Sequence, residues 1–361
     1  MFARPVTFPI LLSLGAAVLL ALPCRALVIT PVWDSSITDL PNAAAIEAEI
    51  QVALDDYQTR FIDDVSVLIK FESVNDGLGA SSTFISDIGY ASFRAKLAAR
   101  ATTADDATAL AHLPVGPNSP VNRIATLTLS LPHPRLLGVD ASPDPGQPDS
   151  TISLNLPIMN IGRSNIDPDK YDLRATVYHE VNEVLGLASA LDGLSNGDPA
   201  PTDSVQVMDL FRYDASGRRS FDTKASTKAF FSIDGTTDLV QFNQDDQGDF
   251  HDWAESSVAR VQDAFAGPGT FQDQGDAELT ALDVIGYTQV VPTVVASGGA
   301  FTNGKFGFDL LGTLGKTVVV DVSTDLKTWT PVWTNTLTGL LHFTDNQSSG
   351  APHRAYRARV L

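Results

Sequence analysis

The residues best suited to chemistry lie close together, in the segment from Leu173 to Ala190. Apolar residues recur in this segment at spacings of three and four, which predicts a helix with one apolar stripe: Leu173, Val177, Val181, Val184, Leu185 and Ala188. His179 and Glu183 stand four positions apart on a different face, so both side chains can reach one ion beside the helix. Glu180 is displaced by one position, close enough to address a water on that ion. The segment therefore predicts a metal-binding helix that carries its own general base.

This spacing follows the zinc-binding pattern H-E-x-x-H, with Glu183 in place of the second histidine. A carboxylate oxygen is an acceptable zinc ligand, and mixtures of His and Glu occur in catalytic zinc sites. Gly186 falls where the longer pattern H-E-x-x-H-x-x-G-x-x-H has its glycine, but the position of the third histidine is Ser189, a poor ligand. The alternative is a surface helix with solvated charges. Apolar residues around most of the helix argue against it, because buried charges need partners or a metal.

Other patterns predict the elements that must position this helix. Strands are predicted by β-branched and alternating residues, and helices by apolar residues at helical spacing. The predicted strands are 27–33, 65–71, 124–131 and 151–157, and the predicted helices are 41–61 and one or two within 90–110, the second capped by Thr103. Asp167 and Pro168 predict the start of the metal-binding helix, which is expected to run to about Ala190.

Composition narrows the classes of function. The chain has 361 residues, a net charge of −19 and one cysteine. A strongly acidic protein is a poor partner for nucleic acid or an anionic membrane, and one cysteine excludes a disulfide scaffold and a Cys-based zinc site. Residues 1–26 have the charged start, apolar run and small-residue end of a signal peptide. We therefore expect a secreted, periplasmic or cell-surface protein, with no membrane insertion after signal removal.

Several segments in order give the chain a family resemblance. MDLFRYDASGRRSF (208–221), AFFSIDGTTDLVQFN (229–243), GDFHDWA (248–254), DAFAGPG (263–269) and ALDVIGY (281–287) follow the metal-binding helix. With it, they resemble secreted bacterial zincin-like proteins, described as metalloproteases, whose helix reads H-E-[IV]-x-E-[VL]-[LM]-G. The resemblance implies an α+β, zincin-like (metzincin-like) domain with a mixed sheet over residues 27–290. It also implies that His179 and Glu183 are metal ligands and that Glu180 is the catalytic base.

The third metal ligand stays open at this stage. Asp209, Asp249, His251 and Asp252 are candidates. We favour Asp209 because it adjoins Met208, which falls where a Met-turn beneath the metal could lie, although an ordinary core methionine is an equal interpretation. A single histidine such as His251 is more often a loop or core residue than a ligand.

Residues 291–361 form a second predicted domain. Their alternating apolar and polar residues make about five strands, the number in a small β-sandwich. The pattern from FDLLGTLG to HRAYRA resembles a β-sandwich module of secreted proteins of the Verrucomicrobia type, to which we assign no chemistry. Two oxygen-rich loops, 140–149 and 243–249, could hold a structural Ca²⁺, but neither has EF-hand spacing and solvated acidic loops are the simpler interpretation.

Two functional hypotheses follow. The first is a secreted zinc peptidase that hydrolyses peptide bonds of a protein or peptide substrate, with Glu180 as base. The second is a catalytically degenerate zincin-fold protein that serves in binding, or at the cell surface through its C-terminal module.

Overall fold

The computed structural model describes residues 27–290, 294–312, 316–348 and 353–360, so the predicted signal peptide lies outside the described residues. The chain divides into two compact units, the first ending at Gln289 and the second beginning at Val290. The first unit is α+β and the second is all-β. Within the described ranges, no helix combines the length and the apolar character that a bilayer span requires.

The N-terminal unit is built on a four-stranded mixed sheet. The unit as a whole has eleven described strands, which are β1 (Val28–Trp33), β2 (Ser66–Ser73), β3 (Gly79–Thr83), β4 (Ile85–Gly89), β5 (Thr126–Ser130), β6 (Ser150–Leu154), β7 (Met159–Asn160), β8 (Tyr171–Asp172), β9 (Arg212–Tyr213), β10 (Phe230–Phe231) and β11 (Val240–Gln241). The main sheet has the order β1-β2-β6-β3. β1, β2 and β6 are parallel, whereas β3 pairs antiparallel to β6 at the edge.

Seven described α-helices accompany these strands. They are α1 (Ser35–Thr38), α2 (Ala43–Arg60), α3 (Tyr90–Arg100), α4 (Ala104–Ala111), α5 (Pro132–Leu136), α6 (Leu173–Leu185) and α7 (Asp276–Val284). Thr103 caps α4 as predicted, because its side chain accepts the Asp106 N–H and the Asp106 carboxylate accepts the Thr103 N–H. α6, the helix predicted to bind metal, packs against both β3 and α2 and so lies beside the edge of the sheet.

The predicted ends of α6 are wrong by several residues. The helix begins at Leu173, after Asp172, whose side chain accepts the Ala175 N–H at 3.1 Å; Asp167 and Pro168 belong to a turn before it. It ends at Leu185 rather than near Ala190. Gly186 takes a φ of +131°, which L side chains rarely adopt, and turns the chain out of the helix.

The C-terminal unit has six described strands, one more than predicted. They are β12 (Val294–Thr302), β13 (Lys305–Gly312), β14 (Thr317–Ser323), β15 (Thr330–Thr336), β16 (Leu341–Asp345) and β17 (Ala355–Val360). The strand of this unit that the sequence did not predict is β12, as β3 and β4 were not predicted in the first unit. β12 contains Gly298 and Gly299 and is mostly exposed, so its apolar alternation is weak. The strands form two three-stranded sheets, β12-β13-β16 and β15-β14-β17, around a small core of their own.

Candidate metal centre

Two segments far apart in sequence bring together four side chains of the types that can bind a metal. α6 supplies His179 and Glu183 from consecutive turns of one face. The turn 250–252 supplies His251 and Asp252. Trp253 anchors this turn: it is fully buried, forms bridges with Phe242 and Asp263, and donates its indole N–H to Glu278 Oε1 at 3.0 Å. The tertiary fold therefore places the second pair of ligands against the helix that carries the first.

The two imidazoles and the two carboxylates alternate around a common point. His179 Nε2 lies 3.4 Å from Glu183 Oε1 and 3.4 Å from Asp252 Oδ1. His251 Nε2 lies 3.3 Å from the same Glu183 oxygen and 3.4 Å from the same Asp252 oxygen. Two ligands that lie about 2.1 Å from one ion at a tetrahedral angle are about 3.4 Å apart. Each nitrogen–oxygen pair is therefore at a separation that two ligands of one ion could have. The ligand atoms within 4.8 Å of one another fall into two overlapping groups, and His179, Glu183 and Asp252 form the first of them.

The other nitrogen of each imidazole is held by the protein. His179 Nδ1 lies 3.0 Å from the Val261 carbonyl oxygen, and His251 Nδ1 lies 2.8 Å from Asp192 Oδ2. Both contacts need a proton on Nδ1, which leaves Nε2 of each neutral ring with its lone pair directed at the carboxylates. His251 Nε2 is buried without a hydrogen-bond partner. A lone pair facing an anionic oxygen is repulsive, so a cation or a proton must lie between them.

The carboxylate ligands are also held from outside the cluster. Ser81 on β3 donates its hydroxyl to Glu183 Oε2 at 2.7 Å. Gln262 donates its side-chain amide to Asp252 Oδ1 at 2.8 Å, and its own oxygen accepts the Asn182 amide at 2.9 Å. The Tyr57 hydroxyl donates to Asn182 Oδ1 at 2.7 Å, which completes a buried chain from α2 to the cluster. Such contacts fix the orientation of ligand side chains before any ion arrives.

Burial and mutual charge perturb every titratable group in the cluster. Burial by itself lowers the pKa of His179 and of His251, but the surrounding carboxylates outweigh it and raise both values well above the ordinary range. Burial raises the pKa of Asp252 to about 6. Burial also opposes ionisation of Glu183, yet the two imidazoles lower the pKa of that carboxyl. The cluster is therefore an anionic environment that favours cations on its nitrogen side.

Glu180 lies beside the cluster without joining it. The side chain is only 4% exposed, and its Oε2 has no hydrogen-bond partner. Burial, followed by the charge of Glu183, raises the pKa of Glu180 well above its ordinary value. Its other oxygen, Oε1, lies against Gly79 of β3, where an added Cβ would clash with it. Glu180 and His179 both line a cavity of about 110 Å³. The geometry thus leaves a buried carboxyl group free to exchange a proton at the rim of the cluster.

Asp209, the third ligand favoured from the sequence, has another place in the structure. It is fully buried and accepts hydrogen bonds from Ser189 Oγ, from the Ala190 N–H at 3.0 Å and from the Gln206 N–H at 2.8 Å. It belongs to neither group of described residues whose ligand atoms lie within 4.8 Å of one another. We therefore correct the expectation: Asp209 holds together the loops after α6. Met208 beside it is buried in the core of the N-terminal unit.

Asp249 extends the cluster on the side of His251. Its carboxylate, together with Glu183 and His251, forms the second group of ligand atoms within 4.8 Å. Asp249 comes from the oxygen-rich loop 243–249, which was considered for Ca²⁺. Among the residues that the structure describes, both groups able to hold an ion contain Glu183, and the loop 140–149 contributes to neither.

Sequence reasoning named all the residues that converge here, but it favoured Asp209 as the third ligand and treated His251 as a less common choice. It missed the residues that hold them, Asp192, Ser81, Gln262 and Asn182. Only one of these had a local signal: Asn182 is a polar residue on the largely apolar helix, completely buried in the fold. Comparisons with protein-family models, curated proteins and solved structures found no match to this chain. The function must therefore be argued from the geometry of the centre.

Proposed function

We propose that the N-terminal unit is a zincin-like, zinc-dependent peptidase domain of an exported protein. One observation carries the proposal: His179, His251, Glu183 and Asp252 converge, and the unpartnered carboxyl group of Glu180 lies beside them on the wall of a cavity. The sequence resemblance supports the zincin-like assignment, and the character of residues 1–26 supports export.

The donor set favours zinc. Imidazole nitrogens and carboxylate oxygens are ordinary zinc ligands, whereas Ca²⁺ and Mg²⁺ prefer oxygen alone. The Nδ1 contacts to Val261 and Asp192 leave both Nε2 atoms available as ligands. Zinc bound there would supply a Lewis acid that polarises a carbonyl group and lowers the pKa of water.

The residues of this chain would supply the remaining chemistry. Glu180 would accept the proton of the attacking water on its free oxygen and deliver it to the leaving amine. Strand β3 would position the substrate. It is an edge strand of the described sheet and its Gly79 lines the same cavity as Glu180. An extended peptide can pair with the free backbone groups of such an edge, which would bring a peptide bond beside the cluster.

A second candidate function rests on the number of ligands. Four protein ligands complete the coordination of a structural zinc ion, whereas catalytic zinc keeps one position open. If His251 and Asp252 both stay bound, zinc would only stabilise the fold, and the protein would be a binding protein without hydrolytic activity.

Glu180→Gln separates the two candidates. If the protein is a peptidase, this variant should keep about one zinc per chain, and its rate of peptide hydrolysis should fall at least about 100-fold because the general base is gone. Metal content is measured by mass spectrometry and hydrolysis with a quenched-fluorescence peptide library. Glu255→Gln, at an exposed glutamate, is the matched control and should keep full activity. Full activity in Glu180→Gln would refute the peptidase. Zinc without hydrolysis in the wild-type protein would favour the binding protein, and His179→Ala should lose zinc in either case.

A further inference from the structure

Several charged side chains line the cavity beside Glu180. It is enclosed by the start of α6, by β3 and by the segment 260–272, and among its lining residues are Asp172, Glu180, Arg260 and Asp263. Small residues, including Gly79, Ala175, Ala264 and Gly267, complete the walls. At about 110 Å³, the space is smaller than the cavity of about 150 Å³ that accommodates benzene. It suits a short aliphatic chain with a small polar head.

Three of the lining side chains each have a buried oxygen without a hydrogen-bond partner. These atoms are Asp172 Oδ1, Glu180 Oε2 and Asp263 Oδ1, and each residue is more than nine-tenths buried. A buried acceptor that has lost water and gained no donor destabilises the fold. Three such acceptors around one cavity therefore point to a ligand that brings several donors.

No described group of the protein donates a hydrogen bond to these three oxygens. Arg260 lines the cavity, but its Nη1 donates to Ser256 Oγ and Val258 O, at 2.9 and 3.1 Å, on its own loop. Arg163 binds the other oxygen of Asp172, Oδ2, at 2.6 Å. The second oxygen of Asp263 accepts the Arg260 backbone N–H at 2.8 Å. The three free oxygens thus remain as acceptors for something that enters.

A bare metal ion does not fit this arrangement. Asp172, Glu180 and Asp263 are not among the described groups whose ligand atoms all lie within 4.8 Å of one another. A primary ammonium group fits better, because it can donate to the oxygens within hydrogen-bond reach of its nitrogen while its positive charge attracts the remaining carboxylate.

We propose that this cavity is a subsite for a primary ammonium group of the substrate, with Asp263 and Asp172 as its specificity-determining residues. The substrate class is then a peptide that carries either a free α-amino group or a lysine side chain next to the bond that is cleaved. This substrate assignment rests on the proposed peptidase function, but ammonium binding does not, and the two can be tested apart.

The first experiment measures binding without hydrolysis. n-Butylamine and 1-butanol, which have nearly the same shape and no bond that a peptidase cleaves, are titrated into the zinc-loaded wild-type protein at pH 8 and followed by calorimetry or NMR. We expect the amine to bind at least about tenfold more tightly than the alcohol, since a hydrogen bond to a charged group contributes about 1.5–3 kcal/mol. Equal binding of the two probes, or no binding of either, would overturn the proposal.

Asp263→Asn tests the assigned residue. The asparagine oxygen can still accept the Arg260 N–H, so the loop should keep its fold while the negative charge is lost. We expect n-butylamine affinity to fall about tenfold and 1-butanol affinity to stay the same. Asp144→Asn, at an exposed aspartate outside the cavity, is the matched control and should leave both affinities unchanged. An unchanged amine affinity in Asp263→Asn, with the fold intact by circular dichroism, would contradict the assignment.

The last arm distinguishes the two sources of ammonium. Norleucine N-methylamide offers only an α-ammonium group, and Nα-acetyl-lysine N-methylamide offers only a side-chain ammonium group. The compound that binds more tightly identifies the source of the ammonium group. In both cases the matched compound without an ammonium group is Nα-acetyl-norleucine N-methylamide, which should bind at least about tenfold more weakly. If amines bind in this way but no peptide is hydrolysed, the ammonium subsite is supported and the proposed peptidase function is refuted. If peptides are hydrolysed without preference for an amino group, the proposed peptidase function is supported and the ammonium subsite is refuted.

Discussion

At the scale of single residues, the candidate metal centre depends on side chains that are not themselves candidate ligands. Asp192 illustrates this dependence: its Oδ2 lies 2.8 Å from His251 Nδ1, while its Oδ1 accepts the Phe250 and His251 N–H groups at 2.8 and 3.2 Å. One carboxylate therefore fixes both the ring and the backbone of a candidate ligand residue. Aspartates that support a ligand histidine in this way raise its basicity as well as orienting it.

Asp192→Asn should weaken zinc binding about 10–100-fold, because the ring of His251 loses its anionic partner. Zinc affinity is measured by competition with a chromogenic chelator. Asp198→Asn, on the same stretch of chain but outside the two candidate ligand groups, should have no effect. An Asp192→Asn protein with wild-type zinc affinity would show that His251 is not a ligand.

Another histidine, His133, tests how burial governs charge in the core. It is completely buried, and its Nε2 lies 2.8 Å from the Ile285 carbonyl oxygen. Burial lowers the pKa of His133 to about 4, whereas an unfolded chain has a value of about 6.5. Between these values the unfolded state binds a proton that the folded state does not. The stability from His133 is therefore complete above about pH 6.5 and is lost as the pH falls towards 4.

Replacing His133 with glutamine keeps a donor for Ile285 and removes the titration. From pH 7 to pH 4 the wild-type protein should lose about 3 kcal/mol more unfolding free energy than His133→Gln. Urea unfolding at several pH values measures this difference, and His112→Gln, at an exposed histidine, should follow the wild-type curve. Parallel curves for His133→Gln and the wild type would mean that His133 is not held neutral.

At the scale of elements, the end of α6 decides where the chain after the ligands goes. Gly186 has a φ of +131°, and a Cβ there would lie 3.1 Å from His133 Nδ1 and 3.2 Å from Ile285 Cδ1. Its N–H contacts the Asn182 and Glu183 carbonyl oxygens at 3.1 and 3.0 Å, which closes the last turn. Backbone conformation and packing thus both require glycine at this position.

Gly186→Ala should lower the free energy of unfolding by about 2–4 kcal/mol, since backbone strain and overpacking add. Denaturant unfolding measures the loss. Gly77→Ala separates the two causes, because Gly77 also has a positive φ, +62°, but has nothing within 4 Å of an added Cβ. It should cost about 1–2 kcal/mol. Equal losses at both positions would show that His133 and Ile285 do not restrict the site.

At the scale of the whole molecule, the two units have separate cores. The large core cluster draws its residues from 27–287, and the small one from 308–343. Every candidate ligand and every residue that lines the proposed subsite belongs to the first unit. The chemistry proposed above is therefore assigned to residues of the first unit.

A protein that ends at Gln289 should fold cooperatively, bind about one zinc per chain and hydrolyse peptides at the rate of the full chain. Thermal unfolding, metal analysis and the peptide assay check the three properties. Lost activity in a folded, zinc-loaded truncated protein would assign the C-terminal unit a part in catalysis.

Local patterns in the sequence were sufficient for the α+β organisation and for the helix that carries His179, Glu180 and Glu183. Helical spacing, β-branched runs and caps such as Thr103 act over a few residues, so they can be read without a fold. The ends of α6 were harder to predict. Asp167 and Pro168 have the residue types of a helix start, but the observed helix is capped by Asp172 and ends at Gly186, and these two residues act through backbone geometry. β12 was not predicted because apolar and polar residues alternate only weakly along it.

What the tertiary structure alone decided was which distant residues meet the helix. Asp209 and His251 were both polar residues in plausible loops, and nothing in their local sequence separated a loop-bridging carboxylate from a candidate ligand. The choice depended on the packing of Trp253, which brings the turn 250–252 to α6, and on the buried chain through Asn182 and Gln262. The types of ligand were thus readable from the sequence. Their selection was not, because ligand geometry is set by long-range contacts whose sequence separation carries no periodic signal.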